Sequence, residues 1–416
     1  VSNAQVESYI ERKEVDDKFK KGLQSNKHLV IYWASKQWKT ALTSTHMPEW
    51  SYIKIECSPD SKVIDLYKSL LRQLNIDFQI KQDVTEGKSS DISGSIKADV
   101  KVPFLWWWET SVKWKISTNK SIATSRQRIE YNLSLAQDIT EILKRINFKK
   151  RIVLENFHYL KEDIQKKLAF DLRIFEDSNM LFVILWIWRE KNRLLQFNWD
   201  LTDRIIEIPV EPWKKEDFIK VINKWAKILN ISFEYIMNDT IDASCNSIWV
   251  LQELCKNICQ NKNIDFEQEN IIYFHTPDLN DAIDTKLEDY RGRQIKSLEA
   301  FVTPLKTSSE QPLYLWYYFV KVMINLKYED VINWIKRKDL QNNINDIHHE
   351  CTRIRSSDRS NFLHNMVKYQ LSRSIRPPIF DYDISTKTLK VIDSTFYFFL
   401  KHIHEDELED LIDAPF

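Results

Sequence analysis

Glycine is almost missing from this chain: 4 residues in 416, beside 15 tryptophans. An ordinary composition, with about 7% glycine, would supply roughly thirty. Scarce glycine alone fits a helical protein, but the positions of the tryptophans make that reading insufficient. Net charge is missing as well, because 60 Lys and Arg balance 60 Asp and Glu. No global field therefore steers the molecule onto nucleic acid or an anionic membrane, although a local basic patch stays open. The longest apolar run, over 179–188, is about ten residues where a membrane span needs about twenty. No signal-peptide pattern opens the chain, and Val1 in place of Met is what a processed or trimmed product shows. The expectation is a cytoplasmic protein with no membrane partner. Cys57, Cys245, Cys255, Cys259 and Cys351 are few, odd in number and scattered, which fits free thiols in a reducing compartment.

What is present fits a globular protein, with 43% hydrophobic and 29% charged residues. At roughly 150 residues per domain, the length predicts two or three domains. An amphipathic helix ending near Lys21-Gly22 precedes a short buried strand over 28–32. A second strand is predicted at 51–57 and a helix at 62–74. From 84 to 121 the pattern becomes two alternating segments, 93–102 and 109–116, read as a β-hairpin inserted into the main domain. A helix over 126–146 follows, then buried strands at 151–154 and 180–186 around a helix at 161–175, and a strand at 205–210. Apolar strands alternating with helices predict an α/β fold with a parallel sheet covered on both faces. Helical patterns follow at 216–229, 234–237 and 247–260, with three more after 313. A hairpin over 379–393, turning at 385–387, then suggests a winged helix.

Trp33-Ala34-Ser35-Lys36-Gln37-Trp38-Lys39-Thr40 follows a predicted strand and opens a predicted helix. That is the context of the phosphate-binding loop G-x-x-x-x-G-K-[ST], with both glycines written as tryptophan. In such a loop backbone N–H groups and a helix N-terminus cradle phosphate, the lysine contacts the β- and γ-phosphates, and the hydroxyl ligates Mg²⁺. The loop spans Trp33 to Thr40 and leads into Ala41. A strand-turn-helix with a chance Lys-Thr pair is the competing reading. Arg151-Ile152-Val153-Leu154-Glu155-Asn156 has the form of a Walker B strand, in which Glu155 can hold Mg²⁺ through water. Asn156 follows, where an acid often polarises the attacking water; an amide orients water but cannot take its proton. Arg204 can reach the γ-phosphate of its own or a neighbouring subunit's nucleotide, or form a surface ion pair with Asp200 or Asp203.

On these segments the chain resembles bacterial AAA+/STAND-type ATPases related to the origin-recognition initiators. The stretch over 9–16 looks like the box whose arginine, here Arg12, packs near adenine. Glu155-Asn156-Phe157-His158-Tyr159-Leu160 is similar to the Walker B segment of one bacterial subgroup. Asp200-Leu201-Thr202-Asp203-Arg204 and Val210-Glu211-Pro212-Trp213 look like the post-sensor arginine segment and lid entry. The resemblance implies a P-loop ATPase domain over 1–210, a helical lid over 211–300 and a winged-helix domain over 301–416. It further implies ATP and Mg²⁺ as cofactors, a homo-oligomer, and an effector protein in a bacterial defence or signalling assembly. It also places Trp33, Trp38, Trp186, Trp199, Trp225 and Trp249 where relatives typically carry glycine. The run Trp106-Trp107-Trp108, with Trp114 and Trp334, looks similar. Drift would not choose one replacement so consistently, so the pattern favours a chain altered from a glycine-bearing ATPase over a natural degenerate homologue. Phosphate binding is expected to suffer, since indoles stand where backbone must approach phosphate.

Other groupings are weaker. Cys255 and Cys259, and His348-His349 with Cys351, lack the four matched ligands of a zinc site. His158 reads as a packed histidine or a relay of nucleotide state. Arg353, Arg355 and Arg359 form a modest basic cluster in the winged-helix region. That region can bind nucleic acid or pack against the nucleotide domain as part of a switch.

Overall fold

A computed structural model of the chain describes residues 9–33, 39–80, 97–101, 130–187, 193–302, 313–326, 328–375, 378–384 and 386–403. The chain divides into two compact units, one of Lys13–Trp33 and Leu42–Val210, the other of Val1–Arg12, Ala34–Ala41 and Glu211–Phe416.

Up to residue 210 the elements begin with α1 (Lys13–Leu23), β1 (His28–Trp33), α2 (Lys39–His46), β2 (Tyr52–Glu56) and α3 (Val63–Gln73). Next come β3 (Asp77–Ile80), β4 (Lys97–Lys101), β5 (Glu130–Asn132) and α4 (Ala136–Arg145). The series ends with β6 (Arg151–Glu155), α5 (Glu162–Asp177), β7 (Phe182–Ile187), α6 (Arg193–Phe197) and β8 (Ile205–Pro209). Five of the strands form one sheet in the order β2-β6-β7-β1-β8, every neighbour pair parallel. The inner strands are the continuous apolar runs that a doubly covered sheet demands, with Leu29, Val30, Ile31, Val153, Leu154, Val183 and Ile184 all buried. From β1 the chain travels to the far edge at β2, returns through β6 and β7, and then passes β1 to reach β8. The connection leaving β1 thus runs to one side of the sheet and the connection leaving β7 to the other. The crevice beyond the carboxyl ends of β1 and β7 is therefore the topological switch point, where open α/β sheets place their ligands.

A second sheet, β3-β4-β5, is antiparallel. The first strand expected of the inserted hairpin is present in part as β4, and its expected mate over 109–116 lies outside the described residues. The helix expected over 126–146 is corrected: Glu130–Asn132 is a strand, and the helix begins at Ala136. A side-chain-closed turn separates the two. Asn132 Oδ1 accepts from the Ser134 N–H (3.0 Å), and Asp138 accepts from the Asn132 N–H (2.6 Å).

With so little glycine, helix ends need another residue that accepts left-handed backbone. Among the described residues, seven of the twelve non-glycine residues at positive φ are asparagine, the L-residue that tolerates this region best. Asn75, Asn147, Asn179 and Asn263 each close a helix in the same way. In each case the asparagine N–H returns to the third residue back and the next N–H to the fifth, as Asn179 does to Glu176 O (2.8 Å) and Met180 to Phe175 O (2.9 Å). The following residue is apolar every time (Ile76, Phe148, Met180, Ile264). Asn179→Ala is expected to cost about 1 kcal/mol through left-handed strain, and Asn179→Gly close to nothing. Urea midpoints of the two variants check this.

Arg151, opening β6, fastens the carboxyl end of α1. Its guanidinium donates to Leu23 O and Ser25 O at 2.8 Å, Lys27 O at 3.1 Å and Gly22 O at 3.3 Å. Burial lowers its pKa to about 10. Arg151→Met is expected to cost about 1–2 kcal/mol and to speed amide exchange over residues 22–27 well beyond the rest of the unit.

The remaining elements open with α7 (Lys215–Leu229), β9 (Ile231–Ser232), α8 (Met237–Ala243), α9 (Ile248–Asn261), β10 (Ile272–Tyr273) and α10 (Thr276–Val302). They continue with α11 (Leu315–Asn325), α12 (Tyr328–Ile332), β11 (Ile335–Lys336), α13 (Arg337–Ile347), α14 (Ser356–His364) and α15 (Met366–Ser372). The last are β12 (Phe380–Asp383), β13 (Thr388–Val391) and α16 (Ser394–His402). The helix expected at 234–237 is corrected to α8, which starts only at Met237. β11, β13 and β12 form an antiparallel sheet. A helix, a short strand, further helices and a hairpin in that order make a winged helix. One continuous core joins it to α7–α10, running from Phe218 and Leu254 through Phe301 and Phe319 to Phe380 and Phe396. Among the described residues no helix is long and apolar enough to cross a membrane.

Candidate functional site

β1 ends at Trp33 and α2 begins at Lys39, so five residues, 34–38, separate strand from helix. This is the spacing the phosphate-loop pattern requires, on a strand that borders the topological switch point. Ser35, Lys36, Gln37 and Trp38 lie outside the described residues. Trp33, Lys39 and Thr40 are placed by their backbone, as the last residue of the strand and the first two of the helix. Ala41 is buried in the core of the second unit.

At the carboxyl edge of the same sheet, Glu155 ends β6 opposite Glu56, which ends β2. Glu155 Oε2 lies 3.3 Å from Lys54 Nζ, and Asn156 Nδ2 donates to Glu56 Oε1 over 3.4 Å. Oxygen ligands of this kind suit Mg²⁺ bound through water, and Lys54 competes with a cation for the Glu155 carboxylate. Among the described residues no three His, Cys, Asp or Glu side chains converge closely enough to hold a metal ion alone. Asn156 has φ 60°, so asparagine here also serves the backbone, leaving β6 in the left-handed region. Sequence reasoning missed Lys54 and Glu56. Their signal was available in the alternation of Tyr52, Lys54 and Glu56 with the buried Ile53 and Ile55.

Arg204 sits at the other edge of the sheet. Its carbonyl accepts from the His28 N–H at the start of β1 (2.9 Å), whereas residues 34–38 follow the end of that strand. Six strand residues separate the two edges by roughly 17 Å. Its guanidinium pairs with Glu176 and, at 2.6 Å, with Asp177. Among the described residues these are its ion-pair partners, rather than the expected Asp200 or Asp203; Asp200 pairs with Arg173. In this arrangement Arg204 does not join Glu155.

In the second unit, Arg12 is buried with its guanidinium 3.8 Å from the centroid of the Trp213 ring. The backbone before it is held by Lys224 Nζ, which donates to Tyr9 O (2.9 Å). The arginine and the tryptophan at the start of the helical region thus form one stacked pair, worth about 1–2 kcal/mol when desolvated.

The tryptophans at expected glycine positions differ in fate. Trp186 is buried in β7, edge-on to Phe157 at 4.8 Å. Trp199 is exposed. Trp334 holds φ 63°, the conformation glycine favours, with Lys390 Nζ 4.3 Å above its ring. His158 packs its ring 4.1 Å from that of Tyr159. Burial pushes the Cys57 thiol up to about 12 and that of Cys259 up to about 11, and raises Cys255 further. These thiols stay protonated and are poor nucleophiles or metal ligands.

No family model matches the chain, and no curated protein matches it. Among solved structures, it is similar to Cdc6p from Pyrobaculum aerophilum, at 11% identity and a TM-score of 0.38, with 96% of this chain and 93% of that one covered. It is also similar to the Aeropyrum pernix Orc1 protein, solved in complex with DNA, at 10% identity and a TM-score of 0.42, with 97% and 94% covered.

Proposed function

We propose that this chain is an ATP-controlled switch module of the AAA+/STAND kind whose own nucleotide binding is impaired by Trp33 and Trp38. One observation carries the reading: five residues, 34–38, separate the strand at the sheet's switch point from a helix opening on Lys39 and Thr40. When bound, ATP–Mg²⁺ supplies the γ-phosphate whose presence or loss such a switch reads. The backbone of Trp33, Ser35, Lys36, Gln37, Trp38 and Ala41 lines the phosphates, Lys39 neutralises them, and Thr40 ligates Mg²⁺. Glu155 supports the metal through water, and Asn156 orients water without accepting its proton, which makes hydrolysis slow. Arg12 packs near the adenine. Arg204 reads the γ-phosphate of a neighbouring subunit's nucleotide in a homo-oligomer; its place beside the start of β1, away from Trp33, supports that reading over one on its own nucleotide.

The proposed domains are 1–210 for the ATPase, with its insert near 84–121, 211–300 for the lid and 301–416 for the winged helix. The setting is a cytoplasmic bacterial defence or signalling assembly with an effector protein. The two tryptophans favour a second reading, a nucleotide-dead scaffold. Calorimetry with ATP–Mg²⁺ on the chain carrying Trp33→Gly and Trp38→Gly tests the proposal. Saturable binding that Lys39→Ala removes supports it; no binding leaves the scaffold. Salt-dependent DNA binding by residues 313–416, indifferent to nucleotide, replaces it with a DNA-binding regulator.

A further inference from the structure

The second unit exposes an aromatic surface that none of the proposed roles uses. β9 and β10 pair in parallel, with Ser232 opposite Tyr273. Beyond the pairing, Phe233 and Phe274 turn inward and meet at 4.9 Å. Strand alternation then sends their neighbours outward. Ile271, Tyr273 and His275 follow one another on the outer side of one segment, and Tyr235 stands out from the turn that follows β9; all four are exposed. The rings cluster in solvent: Tyr235 stacks on His275 at 5.2 Å with planes 11° apart, and lies 5.6 Å from Tyr273 with planes tilted by 39°. Tyr235 is 61% exposed, and Phe266, in the segment leading into β10, is 70% exposed. Single exposed apolar residues are ordinary; stacked rings with open faces are not.

Apart from His275 and the tyrosines themselves, the ionisable side chains in the two segments that carry the rings, 231–236 and 264–275, are all carboxylates. Glu234 adjoins Tyr235, and Asp265, Glu267 and Glu269 occupy the segment leading to β10, all exposed. Among the described residues none of these four carboxylates is ion-paired, while the nearby Lys262 is engaged by Asp278 at 2.7 Å. Asn230 holds the acidic segment against β9 by donating to Gln268 O (2.8 Å). Open aromatic faces beside unpaired carboxylates attract a cation that is flat and weakly hydrated, which describes guanidinium. Nucleic acid also stacks on aromatic rings, but its phosphates are repelled here.

We propose that this face, formed by Tyr235, Tyr273 and His275 with Glu234, Glu267 and Glu269, docks an arginine-bearing peptide segment of a partner protein. Guanidinium stacks on the rings and the carboxylates supply the charge. The test is calorimetric titration of the full chain with a Gly-Arg-Gly-Arg-Gly peptide and with its citrulline counterpart, which keeps the shape and loses the charge. The arginine peptide is expected to bind saturably and more weakly as salt rises, and the citrulline peptide at least about tenfold more weakly. Tyr235→Ala with Tyr273→Ala should weaken arginine binding about tenfold. Glu234→Gln with Glu267→Gln and Glu269→Gln should weaken it about threefold and flatten the salt dependence. The exposed positions leave the fold intact, which circular dichroism verifies. Equal binding of both peptides, no binding by either, unchanged binding by the tyrosine variant, or preferential capture of an oligothymidylate by this face overturns the proposal.

Discussion

The Trp33→Gly/Trp38→Gly chain is expected to bind ATP–Mg²⁺ at least about 100-fold more tightly than the chain as it stands, a difference of about 2.8 kcal/mol. The effect is steric before it is electrostatic. A phosphate-binding loop works because consecutive N–H groups converge on oxygen at hydrogen-bond distance, which needs backbone without a Cβ in the way and often positive φ. An indole at a motif-glycine position would fill that space or force backbone strain of about 1–3 kcal/mol. The two costs fall on one loop, so they are not independent, and either single reversion should recover only part of the affinity. The decisive comparison is calorimetric, on the chain and the double reversion, with Lys39→Ala added to the reverted background. Loss of binding in that third protein ties the affinity to the lysine at the head of α2. Tight binding by the unreverted chain would sink the reading of its tryptophans.

How much of this was legible beforehand depended on whether burial is local or tertiary. β1, β6 and β7 read clearly because a parallel sheet buries both faces, which writes uninterrupted runs such as Leu29-Val30-Ile31 and Ile152-Val153-Leu154. The 27-residue helix α10 did not read. Asp278, Lys286 and Gln294 are buried within its apolar stripe and blur the period. Lys286 is accommodated there by Glu253 at 2.7 Å and Asp289 at 3.0 Å, the first from α9, a contact the local pattern cannot show. The asparagine helix ends were written in the sequence as Asn followed by an apolar residue, a cue that only glycine scarcity makes prominent. The candidate site divides in the same way. Loop spacing and an acid at a strand end are local signals, so positions 33–40 and Glu155 could be singled out from sequence. Which edge of the sheet receives Arg204 depends on strand order, and so does the salt link from Lys54 to Glu155.

Lowering the pH from 6.5 towards 4 is expected to cost the first unit up to about 3 kcal/mol through one residue, His28. The imidazole is fully buried at the start of β1. Nε2 lies 2.9 Å from Leu172 O, and Nδ1 lies 3.0 Å from the Phe182 backbone nitrogen. A carbonyl can only accept and an amide can only donate, so the ring must carry its proton on Nε2 and leave Nδ1 bare. A second proton would break the bond from β7. Burial, with smaller contributions from Arg151 and Arg204, lowers the pKa to about 4 against the pull of the Leu172 hydrogen bond. The sign follows from proton counting. Between about 4 and 6.5 the unfolded chain binds a proton at this residue and the folded chain does not, so stability falls as pH falls; above 6.5 both are neutral and the dependence ends. Proton resonances of the His28 ring should therefore stay unshifted down to about pH 5, and a midpoint near 6.5 would refute the argument. Urea midpoints compared between the chain and His28→Gln isolate the same quantity. The variant loses stability at neutral pH, because an amide cannot fill the ring's place between α5 and β7. Its acid slope should be shallower by about one proton over this interval, whatever the carboxylates contribute in both proteins.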